Sequence, residues 1–228
     1  MWKDEEVRAY RMEDEDLKQK ADNVADNITR DINDFSTRNV TADTVAAFRQ
    51  IIDKFNAAPA DDELEGDINN ATETKYALGE QLRVAIRKIR NMAQLQYNGK
   101  GKYNSFGFED MANMSDNELY RFARRVIRAS TRLADDLAMQ GFTPSQLTAL
   151  TNLAADFDAS IDVQQSKMED RTLAAQQRIM LGNILYTELM RLCSIGKSLY
   201  EESDETKYND YVIDEESDRD NKVISPAA

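Results

Sequence analysis

The 228-residue chain has no histidine, one cysteine, three prolines, eight glycines and one tryptophan. Each scarcity removes a class of protein. Without histidine the commonest zinc ligand and general base is missing, and the Glu-x-x-His motifs of di-iron helical bundles cannot be built. The lone Cys193 excludes an intramolecular disulfide framework. So little glycine and proline leaves few turn-forming positions, which favours long helices over many short strands. No stretch approaches the ~18 consecutive apolar residues of a membrane span. The opening Met1-Trp2-Lys3-Asp4-Glu5-Glu6 has no apolar signal core. The expectation is a cytoplasmic chain, or one carried in a virion assembled in the cytoplasm, without membrane contact. Phosphate loops and nucleotide fingerprints are also absent. Gly99-Lys100-Gly101-Lys102 lacks the strand-to-helix context such a loop needs and reads as a linker.

The charge that is present lies mostly at the ends. The formal net charge is −13, of which residues 1–16 and 201–228 together carry −11. The body between them is close to neutral. Residues 1–11 therefore read as an acidic N-terminal extension and residues 214–228 as an acidic, disordered tail.

The strongest signal is internal. Shifting the sequence by 102 positions aligns residues 12–57 with 114–159 without a gap, and twelve of the 46 pairs are identical. They include Met12/Met114, Leu17/Leu119, Val24/Val126, Arg30/Arg132 and Phe55/Phe157. At a shift of 103 the match continues through Gly79/Gly182, Leu82/Leu185, Ile86/Leu189 and Tyr97/Tyr200. Lys102-Tyr103-Asn104-Ser105-Phe106 then returns as Lys207-Tyr208-Asn209-Asp210-Tyr211. The expected architecture is an all-α, antiparallel, pseudo-twofold helical bundle of two tandem three-helix repeats, residues 12–113 and 114–213, with six main helices. Each repeat closes with an extended segment, KYNSFGF or KYNDYVI.

Helix starts are read from capping chemistry. Ser115 and Glu118 form a capping box flanked by Met114 and Leu119, so a helix begins at Asp116. Thr143-Pro144-Ser145-Gln146 repeats the pattern with proline at the first helical position. Thr41 caps the aligned helix in the first repeat. Apolar residues then recur at helical spacing, as in Val45, Phe48, Ile52 and Phe55. The resulting helices lie near 4–36, 42–57, 62–98, 116–140, 144–160 and 166–203.

Residues able to do chemistry are few. Glu188 falls on an apolar stripe and is expected to snorkel or to pair with an arginine. Cys193 lies beside the same stripe and reads as a small buried hydrophobe rather than a nucleophile. No catalytic, metal or cofactor residue is assigned, and no cofactor is expected. Interaction residues are easier to nominate. Arg124, Arg125 and Arg128 align with Asp22, Asn23 and Asp26, so one helical face is basic in the second repeat and acidic in the first. The expectation is that the two faces meet, within a chain or between subunits. Tyr103 and Phe106, Tyr208 and Tyr211, with Phe108 and Ile213, are expected to plug the bundle ends or to dock on a neighbouring chain, and Trp2 to act as a terminal anchor. The acidic ends argue against nucleic acid as a partner despite the basic run at 121–128.

Phe142-Thr143-Pro144-Ser145-Gln146-Leu147, the stretch from Arg171 to Gln176 and Tyr208-Asn209-x-Tyr211 together resemble uncharacterised helical proteins of Bacteroidetes and their phages, mainly over residues 142–213. The resemblance implies a helical domain with no catalytic residues to carry over. The function expected is a non-enzymatic structural or interaction protein working through helical surfaces in an assembly with itself or another protein, for example a phage virion component. A small-ligand-binding bundle or a nucleic-acid-associated protein is the alternative.

Overall fold

The computed structural model describes residues 7–98, 101–108 and 110–213, and every regular element among them is helical. In chain order these are α1 (Asp14–Arg30), α2 (Ile32–Ser36), α3 (Ala42–Asn56), α4 (Asp61–Tyr97), a 3-10 turn at Gly101–Ser105, α5 (Asp116–Arg132), α6 (Ala134–Ala138), α7 (Pro144–Tyr200) and α8 (Glu205–Asn209). The caps sit where the sequence places them. The Ser115 amide donates to the Glu118 carboxylate at 2.9 Å, and the Thr143 amide donates to Gln146 Oε1 at 2.9 Å.

Four local departures have physical causes. Residues 7–13 are not helical, because Tyr10 and Met12 are buried in the core and Glu13 is extended at the cap. Asp14, Glu15 and Asp16 then crowd the first turn of α1, where the helix dipole favours them. The first helix of each repeat breaks near its end, at Asp31 and at Leu133, both of which leave helical geometry (φ −99° and −110°). Each short helix that follows ends through a left-handed residue, Asn39 (φ 60°) or Gly141 (φ 84°), of the types that tolerate this conformation. The gap expected between 160 and 166 is absent, and α7 runs unbroken for 57 residues. The reason is one residue: Pro59 separates α3 from α4, whereas the position aligned with it is Ile161. Finally, the two Lys-Tyr-Asn segments are not extended. One is the 3-10 turn, and the other is α8, capped by Asp204 Oδ1, which accepts the Lys207 amide at 3.0 Å.

The chain divides into two compact units, one of Met1–Ala60 with Thr172–Ala228 and one of Asp61–Arg171. These boundaries differ from the repeat boundaries at 113/114. In the first unit, α1 to α3 pack with the part of α7 after Thr172 and with α8 around Leu17, Ile28, Phe35, Phe48, Leu189 and Tyr211. In the second, α4 packs with α5, α6 and the first half of α7 around Leu82, Ile86, Leu119, Leu137, Phe157 and Phe106. The helix that follows Pro59 thus belongs to the core of the second repeat's first two helices, and the end of α7 belongs to that of the first.

One flaw in the second core is testable. Ser130 Oγ is buried without a hydrogen-bond partner, at the position aligned with the buried Ile28. Ser130→Ala is expected to raise stability by about 1 kcal/mol by removing an unsatisfied hydroxyl. A higher thermal midpoint is the outcome; a lower one means the hydroxyl is satisfied in solution.

Candidate interaction surfaces

The segments after the two long helices are held by one recurring arrangement. In the first unit Tyr200 donates its hydroxyl to Asp34 at 2.8 Å, and Lys207 approaches the same carboxylate at 3.4 Å. In the second, Tyr97 donates to Asp136 at 2.9 Å and Lys102 pairs with it at 2.5 Å. The ring that follows is fully buried in both: Tyr211 against Phe35 and Tyr200, Phe106 against Phe108. Tyr103 and Tyr208 are only half-buried, so Phe106 and Tyr211 are the anchors.

The two ends differ beneath that ring. Tyr211 donates its hydroxyl to Asp31 at 3.0 Å, and Asp31, only 4% exposed, also takes Arg30 at 2.7 Å and Lys207 at 2.8 Å. Where the ring is Phe106, the residue aligned with Asp31 is the apolar Leu133. Burial would raise the Asp31 carboxyl, but hydrogen bonds from Arg30, Lys207 and Tyr211 outweigh it and hold it at about 2. Burial, then the bonds to Asp34 and Asp136, push the Tyr200 and Tyr97 hydroxyls up to about 12. The pH consequences follow from the signs. A raised tyrosine pKa stabilises the fold below pH 10, the ordinary value, and loses this as pH rises through about 12. The depressed Asp31 stabilises above its ordinary 3.8 and loses this as pH falls towards 2. The thermal midpoint is expected to drop between pH 10 and 12; with both tyrosines changed to Phe that alkaline drop shrinks.

The charged faces of α1 and α5 find partners close at hand. Asp22 pairs with Lys18 at 2.9 Å and Asp26 with Arg49 at 2.7 Å. Arg124 lies over the Tyr120 ring and donates to its hydroxyl at 2.9 Å, and the Arg125 guanidinium covers Gly107, whose φ of 60° and missing Cβ make room for it. Arg128 is exposed. Asp22, Asp26, Arg124 and Arg125 thus each have a neighbour inside their own unit. Trp2 lies outside the described residues.

Two first-turn aspartates make a second recurring contact. Asp14 takes Arg178 at 2.5 Å, and the aligned Asp116 takes Lys75 at 2.5 Å, while Lys75 also donates to Gln164 at 2.8 Å. Glu188 forms a two-bonded pair with Arg191 at 2.6 and 2.8 Å. Cys193 is buried, and that burial pushes its thiol up to about 12, where it is a poor nucleophile. Among the described residues no group of three or more His, Cys, Asp or Glu side chains is placed to hold a metal ion, and no helix is long and apolar enough to cross a membrane.

Each unit also bears a groove between the second and third helices of its core. In the first unit it is lined by Ile51, Met180, Ile184 and Thr187, and the chain's own residues 7–10 lie along it. Asn183 clamps that segment, accepting the Ala9 amide at 2.7 Å and donating to the Val7 carbonyl at 3.0 Å. Tyr10 then rests on Gly182, where a Cβ would overlap its ring. In the second unit the groove, about 510 Å³, lies between α4 and α7 and is lined by Val84, Ala85, Met92, Leu150 and Leu153. Asn183, Asp31 and Asp34 escaped the sequence reading. The identity of Asp34 with Asp136 in the alignment was the signal for one of them; Asp31 and Asn183 align with Leu133 and Glu80 and carry none. Neither a protein-family model, nor a curated protein, nor a solved structure matches the chain.

Proposed function

We propose that the chain is a non-enzymatic structural or interaction protein that works through helical surfaces in an assembly with itself or with another protein. The observation that carries this reading is the apolar groove of the second unit, continued by Leu95 and Met139, which are 74% and 77% exposed. Exposed apolar surface of this kind marks an interaction site. A phage virion component, such as a ring, neck or internal protein, is one concrete form of the proposal and follows the resemblance of residues 142–213.

We read the two units as variants of one antiparallel three-helix design that have exchanged third helices. Aligned residues support this: Leu17 and Leu119, Phe55 and Phe157, and Leu185 and Leu82 are buried in the respective cores. Short connections between successive helices favour antiparallel neighbours.

Light scattering coupled to size exclusion tests the assembly. A discrete species larger than the 26.0-kDa chain is the expected result. A monomer at low and high salt counts against self-assembly and turns the reading to a heteromeric partner or to the alternative, a small-ligand binder, which the groove volume also suits. Retention on DNA that weakens with salt would favour the nucleic-acid reading instead.

A further inference from the structure

The groove of the second unit carries a charge pattern that matches its own reverse. Along α4 its wall presents Ala77, Gln81, Val84 and Lys88 at helical spacing, with Glu80 beside them. Val84 is 39% exposed, and the wall continues to the exposed Leu95. Glu80 and Lys88 stand equally far before and after Val84. Two antiparallel copies of α4 related by a twofold axis at Val84 therefore bring Glu80 of each copy towards Lys88 of the other, giving the same pair twice. Glu80 is exposed and pairs with Arg87, two turns on, at 2.6 Å, and Lys88 is exposed.

The aligned face of the first unit shows why a second copy, rather than an extended arm, is the occupant. There the clamp on residues 7–10 needs the Asn183 amide as both donor and acceptor. The residue aligned with Asn183 is Glu80, which offers no donor to a backbone carbonyl. The aligned counterpart of Val84 is Thr187, and that of Lys88 is Arg191, so the uncharged Asn183 leaves no acid on the other side of Thr187 to face it. The self-complementary triplet exists only in the second unit.

We propose that this groove is a twofold self-association site in which α4 of a second copy of this chain lies against α4 and α7, with Val84 at the axis and Glu80 facing Lys88 on either side. Ridges on each α4 enter the groove of the other copy, so four helices share an apolar layer that includes Met92, Leu150 and Leu153. The proposal rests on the assembly reading above and names its surface.

Sedimentation of the full chain and four variants tests it. The wild type is expected at twice 26.0 kDa. Val84→Glu, which puts two like charges at the axis, is expected to sediment as a monomer with unchanged far-UV circular dichroism. Glu80→Lys and Lys88→Glu are each expected to weaken the dimer about tenfold, because two pairs are reversed at once. The double variant E80K/K88E is expected to recover wild-type affinity, and this recovery decides the matter even if Val84→Glu does not fold. An assembly whose mass ignores Val84→Glu and both reversals overturns the groove but leaves the assembly reading standing. A 26.0-kDa wild-type monomer at every concentration overturns the groove proposal and self-association together, and leaves only an assembly with another protein.

Discussion

Residues 61–171 made as a separate chain are expected to unfold in one cooperative transition, and residues 12–108 are not. The first piece contains α4 to α6, the first half of α7 and every residue of the second core, from Leu82 to Phe157. Its polar ties also close within it: Lys75 to Asp116, Tyr97 to Asp136, Lys167 to Asp67, and Arg171 to Asp61 through two bonds of 2.6 and 2.7 Å. The second piece is a full sequence repeat, yet it joins three helices of one core to the long helix of the other. Leu82, Ile86, Ile89 and Phe106 would be left without α5 and α7 to cover them. Folding α4 back onto α1 and α3 instead would set Phe106 over Asp31, a buried carboxylate facing a ring with no hydroxyl. A urea titration followed by circular dichroism separates the cases. A sharp transition for 12–108, equal in midpoint to that of 61–171, would show that α4 does not need α5 and α7 to fold.

Asp31→Leu is expected to cost about 2–3 kcal/mol, and much of that loss is expected to return when Tyr211→Phe is added. Alone, the leucine removes the acceptor of a fully buried hydroxyl and the shared partner of Arg30 and Lys207. Tyr211→Phe alone leaves Asp31 buried with one donor fewer, at about 1–2 kcal/mol. The double variant reproduces the Leu133 and Phe106 combination that the second unit uses in the same place. A double-mutant cycle on urea midpoints measures the coupling. Strict additivity would mean that the hydroxyl and the carboxylate act independently and that the covariation of the two positions has no energetic content.

These cases show which parts of the molecule the sequence exposes. Local chemistry is plain in it. Ser115 with Glu118 and Thr143 with Pro144 and Gln146 announce their helices because the donors, acceptors and flanking apolar residues lie within one turn. The apolar periodicity of α3 and α5 identifies Phe48, Phe55, Leu119 and Val126 as core. The ends of α1 and α7 are less plain. Continuing the helical pattern upstream of Asp14 ignores that Tyr10 and Met12 do more when buried than when placed on a solvated helix. The break expected in α7 does not form, because nothing at Ile161 interrupts a helix as Pro59 does between α3 and α4.

The candidate surface was legible only in part. Phe106 and Tyr211 stand out as repeated aromatics, and they are anchors. The opposed charges of Asp22, Asp26, Arg124 and Arg125 stand out as well, and the neighbours they meet within their own units, Lys18, Arg49, Tyr120 and the Gly107 loop, are not named by the alignment. A charge on a helix face takes whatever partner is within reach, and spacing along the chain says nothing of the neighbouring helix.

The sequence by itself determined the helical class, the caps and the identity of most core residues, because each depends on residues within a few turns. Only the tertiary structure decided which third helix joins which core, that Asp31 is buried, and that Glu80, Val84 and Lys88 share an open apolar groove. Those outcomes depend on side chains far apart in the chain, as with Tyr211 and Asp31 at a separation of 180, and two similar third helices leave the choice of partner to packing and buried hydrogen bonds.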